Sequence, residues 1–130
     1  MKTTLALVIA VLLLVPFALV AHHAFAAEFD RAKPVKVQGS VVKMEWTNPH
    51  IWIYVDVKDE KGAQIRWQCE GGSPNTLTRQ GWSKDSLKQG DQVVIEGFRA
   101  KDGSNTCNSS SVTLADGKRL FAGSSAEGQR

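Results

Sequence analysis

The chain has 130 residues, 16 of them basic and 13 acidic, with 42% hydrophobic and 22% charged residues. That length and balance describe one ordinary globular domain; they exclude a disordered chain and an enzyme with a separate cofactor domain. The formal charge of +3 comes without a run of like charges or a basic stripe, which excludes a dedicated nucleic-acid binder.

Residues 1–21, MKTTLALVIAVLLLVPFALVA, carry one charge at Lys2 and then an unbroken apolar run from Leu5 to Ala21. This is the layout of a secretory signal peptide. An uncleaved anchor is the alternative, but about 17 residues is the lower end of what spans a bilayer. No basic stop-transfer cluster follows, so no stable membrane span is expected after cleavage. No Cys marks a lipoprotein boundary. Cleavage after Ala21 would make His22 the N-terminus. Cleavage after Ala26 uses the small-x-small site Ala24-Phe25-Ala26 and discards His22 and His23. Either way export, to the periplasm or outside the cell, is expected. Loss of the leader removes Lys2 and no acid, leaving 15 basic against 13 acidic residues, a charge of +2.

Residues 22–34 read as an N-terminal arm, with too few alternating positions for a strand and Pro34 as a helix stop. Val35 to Trp46 reads as a long first strand in which Gly39 marks a bulge or sharp bend. Thr47-Asn48-Pro49 is a turn signal. His50 to Asp59 alternates as a second strand. Ile51, Ile53, Val55 and Val57 face one way; His50, Trp52, Tyr54, Asp56 and Lys58 face the other. Lys61-Gly62 turns the chain into a third strand, Ala63 to Glu70. Ser73 and Pro74 fit the start of a short helix, Pro74 to Gln80, that Gly81 would close. Gln92 to Ala100 is a fourth strand and Ser110 to Leu114 a fifth. Asp116-Gly117 leads to a short Arg119-Leu120-Phe121, and residues 123–130 form a tail.

Three strands, a short helix and two further strands suit an all-β, five-stranded Greek-key barrel of the OB type over residues 35–122. An immunoglobulin-like sandwich is the alternative, but it asks for about seven strands and no such helix. Cys69 and Cys107 are the only cysteines. In an exported chain they suggest a disulfide. It would close a loop of roughly 39 residues, on the order of 4 kcal/mol by loop entropy.

Two constellations could carry function. The first is aromatic: Trp46, Trp52 and Tyr54, with Asn48 and His50, on the face and rim where OB barrels commonly hold ligands, with aromatics as stacking platforms. A groove for a small molecule or an envelope protein partner is expected there. The alternative is that the rings close the core or pack under the arm beside Phe25 and Phe29. The second is His22, His23 and His50, the three histidines of the chain. If His22 is the N-terminus, its α-amine and ring nitrogen can chelate one ion. With His50 or His23 as a further nitrogen, the set suits Cu(II). Glu45, Asp56, Glu70 and Glu96 show no telling spacing, and Gly71-Gly72-Ser73 is a weak anion-loop signal. No enzyme is expected.

His22-His23-Ala24-Phe25, Glu45-Trp46-Thr47-Asn48-Pro49-His50, Gly81 to Leu87 and Arg99-Ala100-Lys101-Asp102-Gly103-Ser104 together resemble an exported bacterial domain-of-unknown-function family. That resemblance spans roughly residues 22–125. It implies an exported domain and tilts the cleavage site toward Ala21, and it supplies no catalytic residues. The Cys pair is not part of it. Periplasmic copper carriers are similar only in starting with His. The leading expectation is therefore an exported binding or accessory protein. A copper-binding protein is the first alternative and a ligand-free structural envelope module the second. The oligomeric state is left open.

Overall fold

Residues 25–123 are described by a computed structural model. Six strands follow one another: β1 (Phe29–Glu45), β2 (Trp52–Lys58), β3 (Gln64–Glu70), β4 (Gln92–Ala100), β5 (Thr106–Leu114) and β6 (Arg119–Phe121). A helix, α1 (Pro74–Arg79), lies between β3 and β4. β2 pairs antiparallel with β1 and β3, β1 with β4, and β4 with β5, while β3 meets β5 as a parallel pair. Five strands thus close into a ring in the OB order, and the stacked sheets of a sandwich do not form.

The length of β1 lets it serve both sides of the ring. Its residues up to Ser40 pair with β4, and those from Ser40 onward pair with β2. Gly39 lies at this handover, where a Cβ would run into the carbonyl of Asp56. The bend predicted at Gly39 is therefore a close backbone approach that only glycine permits. A register shift follows at once, with Val42 as the extra residue.

Alternation fills the ring. Val37, Val41, Ile53, Val55, Ile95 and Val112 are buried inside it, and Leu77 of α1 joins them with Trp82 and Leu87. The Trp82 indole N–H donates to the Phe121 carbonyl at 2.8 Å. α1 starts as its residues dictate: Ser73 Oγ accepts from the Thr76 N–H at 3.3 Å, and Pro74 occupies the first turn.

Three boundaries differ from the sequence expectation. β1 begins at Phe29, so 29–34 are strand and not arm. Phe29 pairs with Ala100 and Pro34 with Phe98, and the extra residues between them bulge, which hides the alternation. β5 begins at Thr106, four residues early, because Cys107 and Ser109 face inward with little apolar signal. β2 begins at Trp52, which leaves His50 in the preceding loop.

Cys69 and Cys107 are register partners with Cα atoms 4.5 Å apart, and a disulfide joins them. Their neighbours Gln68–Thr106 and Glu70–Asn108 complete the parallel seam. Beyond it β6 takes over the same edge of β5. Among the described residues no helix is long and apolar enough to cross a membrane.

Candidate functional site

The alternation that sends Ile53 and Val55 inward turns Trp52, Tyr54 and Asp56 outward. Register sets Trp52 beside Glu70, Tyr54 beside Gln68 and Asp56 beside Arg66. The rows continue onto β5, where Thr106 follows Gln68 and Asn108 follows Glu70. The β4–β5 loop folds against this face. The Gln68 N–H donates to the Asn105 carbonyl at 3.0 Å, and the Gln68 side-chain amide donates to Thr106 Oγ1 at 3.1 Å. Ser104 Oγ donates to the same Thr106 oxygen at 3.0 Å. The result is a recess of about 230 Å³ lined by Tyr54, Arg66, Gln68, Ser104, Asn105 and Thr106. A second recess, of about 450 Å³, shares Gln68, Ser104 and Thr106 with it and runs on to Trp52.

The N-terminal segment closes the Trp52 end. Ala27, Glu28 and Phe29 line that recess together with Lys101 and Asp102. The Lys101 N–H donates to the Glu28 carbonyl at 2.8 Å, and its ammonium donates to the Ala26 carbonyl. The Phe25 ring lies 5.6 Å from Phe29 and edge-on to Phe98 at 6.1 Å. Glu70 and Asn108, although on the outer side of their strands, are only 8% and 6% exposed.

Several charges around the recess are tied to partners. Arg66 grips Asp56 with two bonds of 2.8 and 3.0 Å, and the Gln64 amide adds a third at 2.8 Å. Arg66 thereby holds the Asp56 carboxyl below its ordinary value. Lys43 donates to Glu45 at 2.6 Å, which raises the ammonium and lowers the carboxyl. The same ammonium lies 4.6 Å from the centre of the Tyr54 ring, whose hydroxyl donates to Glu45 at 3.3 Å. Hydrogen bonding from Ser104, whose N–H donates to Asp102 Oδ1 at 2.8 Å, lowers Asp102. Arg99 donates to the carbonyls of Gly103 and Ser104 and covers Trp67 at 5.3 Å.

The structure separates the expected site residues. Trp52 and Tyr54 lie in the recess. Trp46 packs half-buried onto the core. Asn48 is in an exposed turn, before a cis peptide to Pro49. His50 turns Nδ1 toward the Gly71 carbonyl at 2.9 Å and Glu70 Oε1 at 3.1 Å. A carbonyl oxygen only accepts, so Nδ1 carries the proton and donates, which directs Nε2 away from Gly71. His22 and His23 lie outside the described residues. Among the described residues no three His, Cys, Asp or Glu side chains converge as a metal centre would need.

Gln68, Ser104, Asn105 and Thr106 were not foreseen. The outward register of β3 would have indicated Gln68. The others depend on how the β4–β5 loop folds, and OB barrels commonly use that loop as one wall of the ligand site.

Fold and recess together define a small OB-type barrel with a structured outer face on its second and third strands. The chain belongs to DUF6152, a family of unknown function, which it matches over residues 10–109. No curated protein and no solved structure matches it.

Proposed function

We propose that the protein is an exported binding or accessory module that holds a small ligand, or a short stretch of an envelope partner, on the outer face of β2, β3 and β5. One observation carries this reading: two neighbouring recesses share Gln68, Ser104 and Thr106 in their walls, with Tyr54 lining one and Trp52 the other. Concave surfaces that combine aromatic area with a few placed polar groups are where small ligands bind. The test is an NMR screen of the ¹⁵N-labelled protein against a library of small aromatic, saccharide and peptide fragments. Hits should shift the Trp52, Gln68 and Ser104–Thr106 amides. Hits gathered around Phe121, or none, would mean that this face is structural.

Export is part of the reading. It rests on the leader-like residues 1–21 and on the disulfide, which persists in oxidising compartments. The intact mass of protein from the envelope fraction should fit His22–Arg130 with one disulfide. A mass beginning at Ala27, or at Met1, contradicts cleavage after Ala21.

The His50 geometry favours a second reading, Cu(II) binding. A histidine that donates Nδ1–H to a carbonyl or carboxylate, and so keeps Nε2 as an acceptor on the far side of the ring, has the arrangement of a metal-ligating imidazole. The other nitrogens would come from His22, through its ring and a free α-amine, or from His23. Copper titration should then give a d–d band that weakens in both His22→Ala and His50→Ala. Parent-like binding by both variants ends this reading.

A further inference from the structure

We infer that the ligand of the recess is an uncharged saccharide; this rests on the binding reading above and narrows it. A sugar ring presents a patch of C–H groups on its face and hydroxyls around its rim, each able to donate and accept. The recess offers the complement of both. Trp52 supplies flat apolar surface on β2, and Tyr54 lies two residues along the same strand with the Lys43 ammonium over its ring. Gln68, beside Tyr54, and Ser104, Asn105 and Thr106 beyond it supply amide and hydroxyl groups; the Gln68 amide and the Ser104 hydroxyl donate to Thr106 Oγ1, which leaves the Gln68 side-chain carbonyl, its second amide N–H and the Thr106 hydroxyl proton for a ligand. Two strand spacings, roughly 10 Å, separate β2 from β5, which is room for a ring over Trp52 with its hydroxyls toward the polar wall.

Charge decides against the competing ligands. The basic residues that line the two recesses are Arg66 and Lys101, and the acidic ones are Glu28 and Asp102, an even balance. Arg66 is engaged by Asp56 and Lys101 by the Ala26 carbonyl. Beside them Lys43 is engaged by Glu45, and Arg99 by the β4–β5 loop. A phosphate ligand gains its affinity from cations that are available to it, and these would first have to leave their partners. An extended peptide that adds a strand needs a sheet edge, whereas these recesses lie across a sheet face. A proline-rich helix needs aromatic surface along its length, and here one wall is amide and hydroxyl.

The test is titration of the ¹⁵N-labelled protein with chitotetraose, cellotetraose and maltotetraose, and in parallel with decaproline and oligothymidylate. At least one saccharide should shift the Trp52, Gln68 and Ser104–Thr106 signals. Trp52→Ala should weaken that saccharide by about tenfold or more, a loss of about 1.4 kcal/mol. Gln68→Leu keeps the bulk and removes the amide; it should also weaken the saccharide, and it decides the matter if Trp52→Ala does not fold. Arg119→Ala, on the β4–β6 side, should bind like the parent. Three results overturn the inference: no shift with any of the three saccharides, parent-like saccharide binding by Gln68→Leu, or decaproline or oligothymidylate binding in place of sugar. In the last case the shifts still fall on the recesses, so the binding reading survives while the saccharide does not. Saccharide shifts confined to other surfaces overturn both.

Discussion

The ring closes at its weakest point through the disulfide, and removing that link should cost a large share of the domain's stability. β3 and β5 meet at only three register pairs, and Cys69–Cys107 is the middle one. The cysteines are 38 positions apart. Opening a loop of that length returns about 4 kcal/mol of chain entropy to the unfolded state at 25 °C. Both cysteines are fully buried, so replacement by Ala adds a smaller loss of packing. Small domains hold about 5–15 kcal/mol in total. For a domain of about 100 residues, 4 kcal/mol corresponds to a fall in Tm of roughly 15–30 °C. Urea unfolding followed by tryptophan fluorescence would compare the oxidised protein, the reduced protein and the Cys69→Ala/Cys107→Ala variant. The midpoint should fall and the slope should rise, because an unlinked chain exposes more surface when unfolded. Amide exchange should accelerate at Gln68–Glu70 and Thr106–Asn108 more than along β1–β4. A loss below about 1 kcal/mol would refute this account; the seam would then be held by its hydrogen bonds and packing alone.

Three further outcomes follow from the core, the bulge and the outer ion pair. Ile53 is fully buried in the ring, so Ile53→Ala should cost about 2–5 kcal/mol by chemical denaturation. A smaller cost would mean that the ring collapses into the space. Gly97 faces the carbonyl of Asn108 so closely that a Cβ cannot fit without moving backbone. Gly97→Ala should therefore destabilise by about 1–3 kcal/mol or more, although Ala suits a strand better than Gly; a Tm at or above the parent's would contradict the packing. Asp56 is held below its ordinary value of 3.8 by Arg66. Its contribution is thus complete above that value and is lost as pH falls through the lower folded one. The acid fall in Tm should be shallower in Asp56→Asn than in the parent, and equal slopes would show that the pair adds nothing.

What could be read in the sequence was what alternation and turn chemistry encode. β2 alternates without interruption, and its burial alternates with it: Ile53 and Val55 are buried, Trp52 and Tyr54 half-exposed. Ser73-Pro74 states a helix start, and α1 begins there. Gly39 and Gly97 interrupt apolar strands, and both are close backbone approaches. β1 and β5 were clipped where physics replaces the periodic signal. Phe29–Pro34 pairs through a bulge that breaks alternation. Cys107–Ser109 carries little apolar signal in sequence, and the disulfide and the ring bury it.

The candidate site was half legible for the same reason. Its aromatic side lies on one strand and follows from a local rule. Its polar side needs three non-local facts: the β2–β3 register, the parallel meeting of β3 with β5, and the fold of the β4–β5 loop over Gln68. His50 shows the converse. Its place at the start of an alternating run suggested an outward side chain in line with Trp52. The strand, however, begins two residues later, and the backbone pairing of Ile51 with Gly71 and Gly72 brings the Gly71 carbonyl and Glu70 to its ring. The β2–β3 pairing that sets Tyr54 beside Gln68 thus also fixes which nitrogen His50 can offer. Hence the saccharide and copper readings respond differently to mutation. Gln68→Leu alters the recess and leaves the His50–Gly71 contact in place, whereas His50→Ala removes the imidazole and leaves the Gln68–Thr106 wall intact.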